Sequence, residues 1–166
     1  MITLRKKFFS WLFDTTQRIY VRYFKKHKRA WNITTKQLLT MPTTSFGYHL
    51  GCFLKENNYT LIDKVERHDA YHLLTGYGTK VEDEIALQFL CFGNGKRTPY
   101  MFAALLLGTL ILPEYLSCYV KAYTRGKNAN CFHHFEYKDI LPINFEQFRA
   151  TIFLESKQSQ TAHTLN

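Results

Sequence analysis

The chain has 166 residues, of which 46% are hydrophobic and 16% are aromatic. This length allows one domain, and this apolar content excludes a wholly disordered chain. The formal net charge of +9 is unevenly placed, because residues 1–32 hold nine of the 22 Lys and Arg residues and a single acid, Asp14. The remainder is almost neutral, so we expect a neutral domain behind a basic N-terminal stretch and not a nucleic-acid-binding protein.

The first element, residues 1–30, is predicted to be a basic amphipathic helix that is part of the domain or flanks it. Its apolar residues recur at loose helical intervals between the cations: Phe9, Phe13, Ile19, Tyr20 and Phe24. Such a helix is typical of contact with anionic lipid surfaces. RNA binding, a solvated basic face and an organelle transit peptide remain as alternatives for the same composition.

Two helices are predicted next. Ser45 has the position of an N-cap, which predicts a helix over residues 46–54. Apolar periodicity predicts a second helix over residues 61–74. Gly76 and Gly78 then form a turn that lets the following helix fold back against this one.

The spacing of Thr79 and Glu82 is that of a capping box, which predicts the start of a further helix that ends at residues 93–95. The run 100–112 contains 13 residues without a charge, and Pro113 ends it. As a helix it would be about 20 Å long, whereas a bilayer core is about 30 Å thick. We therefore expect a buried or lipid-contacting helix and not a membrane span.

Two more helices are predicted over residues 114–124 and 145–153, the first ending at 125–127. Residues 154–166 form a polar tail. Because alternation typical of strands is weak throughout, we expect an all-α fold with a single helical domain over residues 31–153.

The four cysteines are widely spread and form no Cys-x-x-Cys pair: Cys52, Cys91, Cys118 and Cys131. This spacing argues against a zinc knuckle and against a disulfide framework. We expect reduced thiols in a cytosol-like compartment.

One group of residues indicates metal chemistry. His68, Asp69 and His72 fall within about 100° of arc on a helical wheel, so their side chains share one face. Glu84 lies in the first turns of the next helix and can approach the same point across the glycine turn. Two imidazoles and two carboxylates suit Zn²⁺ or another divalent ion such as Mn²⁺, Fe²⁺ or Co²⁺. We therefore predict a metal site between two consecutive helices.

Other interpretations of these residues are open. The histidine pair is also compatible with a polar stripe, and Asp69 with an ordinary surface acid. The acids that begin the next helix would complement its dipole, an explanation that we accept for Glu82 and Asp83 but not for Glu84. A phosphohydrolase of the HD type is ranked low because it leaves His72 and Glu84 unexplained; it would combine His49, His68, Asp69 and Asp139.

The pattern His68-Asp69-x-x-His72, eleven residues and Glu84 resembles the metal motif of the coenzyme Q biosynthesis protein family, fourth member (the Coq-four family). The segment 72–79 is similar to the family's His-x-Leu-Thr-Gly segment. Weaker resemblances flank it, so that the similarity covers roughly residues 40–153.

This resemblance implies a helical, membrane-facing protein of quinone synthesis. The implied activity is that of a metal-dependent carbon-carbon lyase, a decarboxylase that removes the carboxylate of a prenylated hydroxybenzoate. A role in organising other quinone-synthesis enzymes is implied as well. The alternative is a non-catalytic scaffold that binds prenyl lipid and holds a structural metal.

The resemblance also implies partners and a location. We expect a prenylated quinone precursor as ligand, other quinone-synthesis enzymes or a second copy as protein partners, and no nucleic acid. The expected location is the cytoplasmic side of the inner membrane, or the mitochondrial matrix face in a eukaryote. Candidate lipid-lining residues lie in the run 100–112, for which plain core packing is the alternative: Phe102, Leu105, Leu106 and Leu110.

Overall fold

A computed structural model describes the chain at residues 2–9, 11–12, 15 and 29–153. Eight α-helices lie between residues 29 and 153: α1 (Thr35–Leu39), α2 (Phe46–Glu56), α3 (Glu66–Thr75), α4 (Val81–Gly93), α5 (Pro99–Ile111), α6 (Leu116–Asn128), α7 (Tyr137–Ile140) and α8 (Phe145–Ile152). In the described part of the chain the only β-type pairing is an isolated bridge between Ser45 and Asn144. The predicted all-α, single-domain fold is therefore confirmed.

The centre of the domain is the contact between α4 and α6. Two glycines allow these helices to approach backbone to backbone. A Cβ atom added to Gly93 would overlap the carbonyl oxygen of Tyr123, and one added to Gly126 would overlap that of Leu90. The residues around this contact are fully buried, among them Leu87, Leu90, Tyr119 and Ala122.

This contact corrects one helix boundary. The sequence predicts that the helix after Pro113 ends at residues 125–127, but α6 continues to Asn128. Gly126 does not end the helix because it is the point of close approach to α4. At the other end, Pro113–Tyr115 is a 3₁₀ turn, so α6 itself begins at Leu116.

Two helix starts also differ from prediction. Helix α3 begins at Glu66 and not near residue 61, since Lys64 has a positive φ of 67° that no helix accepts. Helix α4 has Lys80 as its N-cap, without a side-chain cap bond, so the predicted capping box of Thr79 is wrong. The Glu82 carboxylate instead accepts a hydrogen bond from the Lys6 ammonium at 2.9 Å.

Other local signals are confirmed. The Ser45 hydroxyl accepts a hydrogen bond from the Tyr48 N–H and caps α2. Asn94 ends α4 within the predicted break. Gly76 takes up the left-handed conformation (φ 74°) that ends α3.

The N-terminal segment, residues 2–9 and 11–12, is helical and packs on the domain. Phe9 is buried in the core. Arg5 pairs with Glu114 at 2.9 Å and donates to the carbonyl of Ile111 at 2.9 Å. The segment therefore lies against the corner where α5 meets α6. Most of the remaining predicted helix 1–30, and the predicted tail 154–166, fall outside the described residues.

Among the described residues, none of the helices is both long and apolar enough to cross a membrane alone. One pair of consecutive helical segments has the necessary length and composition when taken together, but it is bent by 103°: Pro99–Ile111 and Pro113–Asn128.

Candidate metal centre

Helix α3 places His68 and His72 one turn apart, as their spacing predicts. Their ring centroids are 4.7 Å apart and their planes make an angle of 72°. Gly76 ends the helix, and its N–H donates to the carbonyl of His72 at 2.9 Å. The chain then enters α4 after only a few residues, which brings Glu84 back over the two imidazoles.

Glu84 bridges the two histidines. One carboxylate oxygen, Oε2, lies 3.2 Å from His68 Nε2, and the other, Oε1, lies 3.1 Å from His72 Nε2. The three residues offer ligand atoms that all lie within 4.8 Å of one another. The structure thus brings together three of the four predicted ligands.

The carbonyl of Tyr77 fixes the orientation of the His72 ring. It lies 3.0 Å from His72 Nδ1, and because a carbonyl oxygen only accepts, Nδ1 carries a proton. The other nitrogen, Nε2, faces Glu84 and is the nitrogen available to a metal. In most metal-binding histidines of proteins, the ring nitrogen that does not bind the metal donates a hydrogen bond of this kind, which fixes the orientation of the ring.

Arg125 holds the turn that contains Tyr77. Its guanidinium donates to the carbonyl of Thr75 at 2.8 Å and lies over the ring of Tyr77 at 5.6 Å. It also lies over the ring of Phe153 at 4.3 Å. Neither the role of Tyr77 nor that of Arg125 is predictable from the sequence, since a backbone carbonyl and a contact across 50 residues leave no local pattern.

The three side chains also determine each other's charge. Burial alone would raise the pKa of Glu84, but the charges and contacts of His68 and His72 outweigh it and hold that pKa well below its usual range. Burial alone would lower the pKa of His72, but the Glu84 carboxylate beside it raises that pKa overall. The raised pKa of His72 therefore favours, in the metal-free protein, a positive charge where a cation would otherwise supply it.

Asp69 lies beside this group but outside the set of three. Burial raises the pKa of its carboxyl to about 6, although the charges of His68 and His72 oppose the change. Its carboxyl is therefore coupled electrostatically to the site. Direct ligation by Asp69 stays a prediction.

The donor set fits a divalent cation. His72 Nε2 and Glu84 Oε2 are buried, and although each is close to a neighbour, neither makes a hydrogen bond of normal geometry. Around tetrahedral zinc, nitrogen and oxygen ligands stand about 3.3 Å apart, which is close to the observed 3.1 and 3.2 Å. Cations with borderline ligand preferences suit this nitrogen and oxygen set.

The candidate lipid-lining residues divide into two groups. Phe102, Leu106 and Leu110 are spaced four residues apart on α5 and are 47%, 63% and 68% exposed. Leu105 is buried and packs inside the domain. One face of α5 therefore packs in the core, and the other face exposes an apolar stripe formed by Phe102, Leu106 and Leu110.

The residues of the alternative HD-type set are not assembled with the histidine pair. His49 packs against Phe145, with ring centroids 4.6 Å apart. Neither His49 nor Asp139 belongs to a metal-competent group in the described part of the chain.

Comparison with known proteins identifies the family. A sequence model described as coenzyme Q (ubiquinone) biosynthesis protein Coq4 matches residues 55–158, which include all of α3 and α4. Among solved structures, the fold is similar to that of a proposed ubiquinone biosynthesis protein from Nostoc punctiforme PCC 73102. The TM-score is 0.64 at 16% identity, and the match covers 94% of this chain and 82% of that chain.

At this level of identity the structural likeness concerns the fold alone. No curated protein gives a significant sequence match. The family match, which spans more than half of the chain, includes the motif that forms the candidate metal centre. The chain belongs to the Coq4 family of coenzyme Q (ubiquinone) biosynthesis proteins.

Proposed function

We propose that this protein carries out the metal-dependent decarboxylation of a prenylated hydroxybenzoate-type intermediate in quinone synthesis. Membership of the ubiquinone biosynthesis family supports the pathway. The convergence of His68, His72 and Glu84 on one point is the observation that carries the chemistry. Zn²⁺ is the first candidate for the cation, with Mn²⁺, Fe²⁺ or Co²⁺ as alternatives for the same ligands.

His68 and His72 would hold the cation through their Nε2 atoms and Glu84 through its carboxylate. The bound cation would supply a Lewis acid for the carboxylate and phenolate oxygens of the head group. Tyr77 keeps the His72 ring in the orientation that this requires. Asp69 lies alongside, as a fourth ligand or as a carboxyl outside the ligand shell.

The proposed reaction is a simple exchange of carbon dioxide for a proton. The bond between the ring carbon and the carboxylate carbon breaks, and carbon dioxide leaves. The ring carbon keeps the electron pair and takes up a proton. Any oxidation at that carbon would need a separate oxidant and is not included.

We place the protein on a membrane surface, at the cytoplasmic side of the inner membrane or at the matrix face of a mitochondrion. The exposed stripe on α5 would contact the prenyl tail or the acyl chains. Lys and Arg residues near the N-terminus would attract anionic lipid. On this surface the protein would meet its lipid substrate and the other enzymes of quinone synthesis.

A non-catalytic scaffold with a structural metal is the second candidate. One observation favours it: α3 and α4 make few other direct contacts with each other. A cation held by ligands from both helices would therefore tie them together. In that case, loss of the cation would loosen the domain instead of stopping a reaction.

The test compares His68→Ala and Glu84→Gln with Asp83→Asn, a matched neighbour on α4 outside the ligand set. Each variant is measured for metal content, helical content and rescue of a quinone-deficient host. We expect both ligand variants to lose one metal ion per chain, remain folded and fail to rescue, with the carboxylated precursor accumulating in the host. The Asp83→Asn protein should behave like the wild type.

Two outcomes would contradict the catalytic proposal. If the ligand variants unfold as they lose the metal, the scaffold with a structural metal is the better account. If a variant without metal rescues the host, the cation has no role in the reaction. A failed rescue without accumulation of the carboxylated precursor would place the function at another step.

A further inference from the structure

We infer that Cys131, His133 and His134 form a second metal site, selective for a thiophilic divalent cation such as zinc. The three residues lie in the segment between α6 and α7. Cys131 Sγ is 3.2 Å from His133 Nδ1 and 3.3 Å from His134 Nδ1. All three ligand atoms lie within 4.8 Å of one another.

These distances fit zinc coordination. Sulfur and nitrogen ligands of tetrahedral zinc stand about 3.5 Å apart, so small side-chain rotations would complete the site. One thiolate and two imidazoles are a ligand set that zinc favours over calcium and magnesium. Three protein ligands leave a fourth position for water or an added ligand.

The buried side chain of Asn94 holds in place the backbone that carries these ligands. The buried side-chain oxygen of Asn94 accepts hydrogen bonds from the N–H groups of Phe132 and His133, at 2.9 and 3.2 Å. The Asn94 amide nitrogen donates to the carbonyls of Gly126 and Asn130. One buried side chain thus fixes the loop on both sides of Cys131.

Two tyrosines add to this support. The Tyr71 hydroxyl donates to the carbonyl of His133 at 3.1 Å, and the Tyr137 hydroxyl donates to that of Phe132 at 3.3 Å. Phe132 itself is fully buried. Because the backbone is fixed by these contacts, the site would need little ordering when it binds a cation.

Two cations near His133, Lys96 and Arg97, would repel a bound dication. Lys96 lies over the ring of Tyr71 at 5.2 Å, and Arg97 lies over the ring of Phe92 at 4.2 Å. The Cys131 thiolate would supply the negative charge that a dication needs beside these two residues. Gly95 leaves room for the His133 ring, since an added Cβ atom would lie 3.1 Å from its Cε1 atom.

The test uses Co²⁺ as a spectroscopic substitute for zinc in the full chain. Only a site with a sulfur ligand gives a thiolate-to-cobalt charge-transfer band, which separates this site from that of His68, His72 and Glu84. We expect a band whose full intensity corresponds to one sulfur-ligated Co²⁺ per chain, since Co²⁺ bound at the other site adds nothing to it. It should be lost in Cys131→Ala and kept in Glu84→Gln and in Cys118→Ala, a control at another exposed cysteine.

His134→Ala is the second variant, chosen because the His134 side chain is exposed and its loss should not disturb folding. We expect Co²⁺ affinity, measured from the band, to fall by at least about tenfold. A folded wild type without the band would overturn the proposal. So would a band that survives in Cys131→Ala, or an affinity that His134→Ala leaves unchanged.

Discussion

A single backbone carbonyl determines how His72 meets its neighbours. Because Tyr77 accepts the proton of Nδ1, the other nitrogen is directed at Glu84. Gly76 makes this possible, since its left-handed conformation turns the chain back at the end of α3. The geometry of the candidate centre therefore depends on the turn as much as on the ligands.

The charge state of this pair predicts a pH dependence for the metal-free protein. The pKa of His72 is raised above its ordinary value of 6.5. The stability that His72 contributes is thus fully present below about pH 6.5 and is lost as the pH rises through the higher pKa of the folded protein. The lowered pKa of Glu84 contributes stability that is present above pH 4.5 and is lost in strong acid.

The free energy of unfolding from urea titrations should therefore fall as the pH rises above about 6.5, through the raised pKa of His72. Glu84→Gln should reduce this dependence, because the partner of His72 is gone. Zinc should reverse the sign, because it binds neutral imidazole. Identical pH profiles for the metal-free wild type and Glu84→Gln would contradict the assignment.

At the scale of elements, the approach of α4 to α6 predicts an asymmetry between glycines. A methyl group at Gly126 would meet the backbone of Leu90, which cannot move away. A methyl group at Gly108 on α5 would lie 2.7 Å from Cγ2 of Ile85, a buried side chain that can shift only slightly. Both positions are helical, so both gain roughly 1 kcal/mol of helix propensity from alanine.

We therefore expect Gly126→Ala to lower the free energy of unfolding by about 3 kcal/mol or more, at the upper end for overpacked cores. Gly108→Ala should lower it by less, about 1–2 kcal/mol, because a side chain can shift where the backbone cannot. Thermal or urea unfolding followed by circular dichroism measures both. Equal effects of the two substitutions would show that the helices are not in backbone contact.

The sequence predicts the helix ends that depend on local signals better than those that depend on distant contacts. Ser45, Gly76 and Asn94 act on their own neighbours, and helix ends based on such local signals are confirmed. Thr79 fails as a cap because the N-cap of α4 lies one residue later, at Lys80, and Lys6 binds Glu82 from a distant part of the chain. Contacts between distant residues leave no local pattern.

The two candidate metal sites also differ in how well the sequence predicts them. Helical periodicity and one turn suffice to bring His68, His72 and Glu84 together. The cluster at Cys131 was not predicted, although Cys-x-His-His stands in the sequence, because a single cysteine is not the paired spacing typical of zinc sites. Its geometry comes from an irregular loop that Asn94 holds, and no periodicity describes such a loop.

For the whole molecule, the placement of the N-terminal segment changes how membrane binding is best tested. Deleting residues 1–30 would remove Phe9 from the core and Arg5 from its pair with Glu114. A loss of vesicle binding would then reflect unfolding. Substitutions on the exposed stripe of α5 avoid this problem.

We expect the double variant Leu106→Glu, Leu110→Glu to bind anionic vesicles at least about tenfold more weakly, because two exposed apolar side chains would no longer enter the lipid. The control is Ile62→Glu, Ile143→Glu, which adds the same charge at two exposed residues away from α5. Vesicle sedimentation measures the affinity. Equal losses in both proteins would argue for a charge effect and against docking through α5.

The proposed function depends on the binding of one divalent cation by His68, His72 and Glu84. Its most direct test is a calorimetric zinc titration of the Cys131→Ala protein, in which the second candidate site is absent. We expect one tightly bound zinc ion per chain, and at least about tenfold weaker binding when Glu84→Gln is added. Zinc binding that is unaffected by Glu84→Gln, in a protein that remains folded, would contradict it.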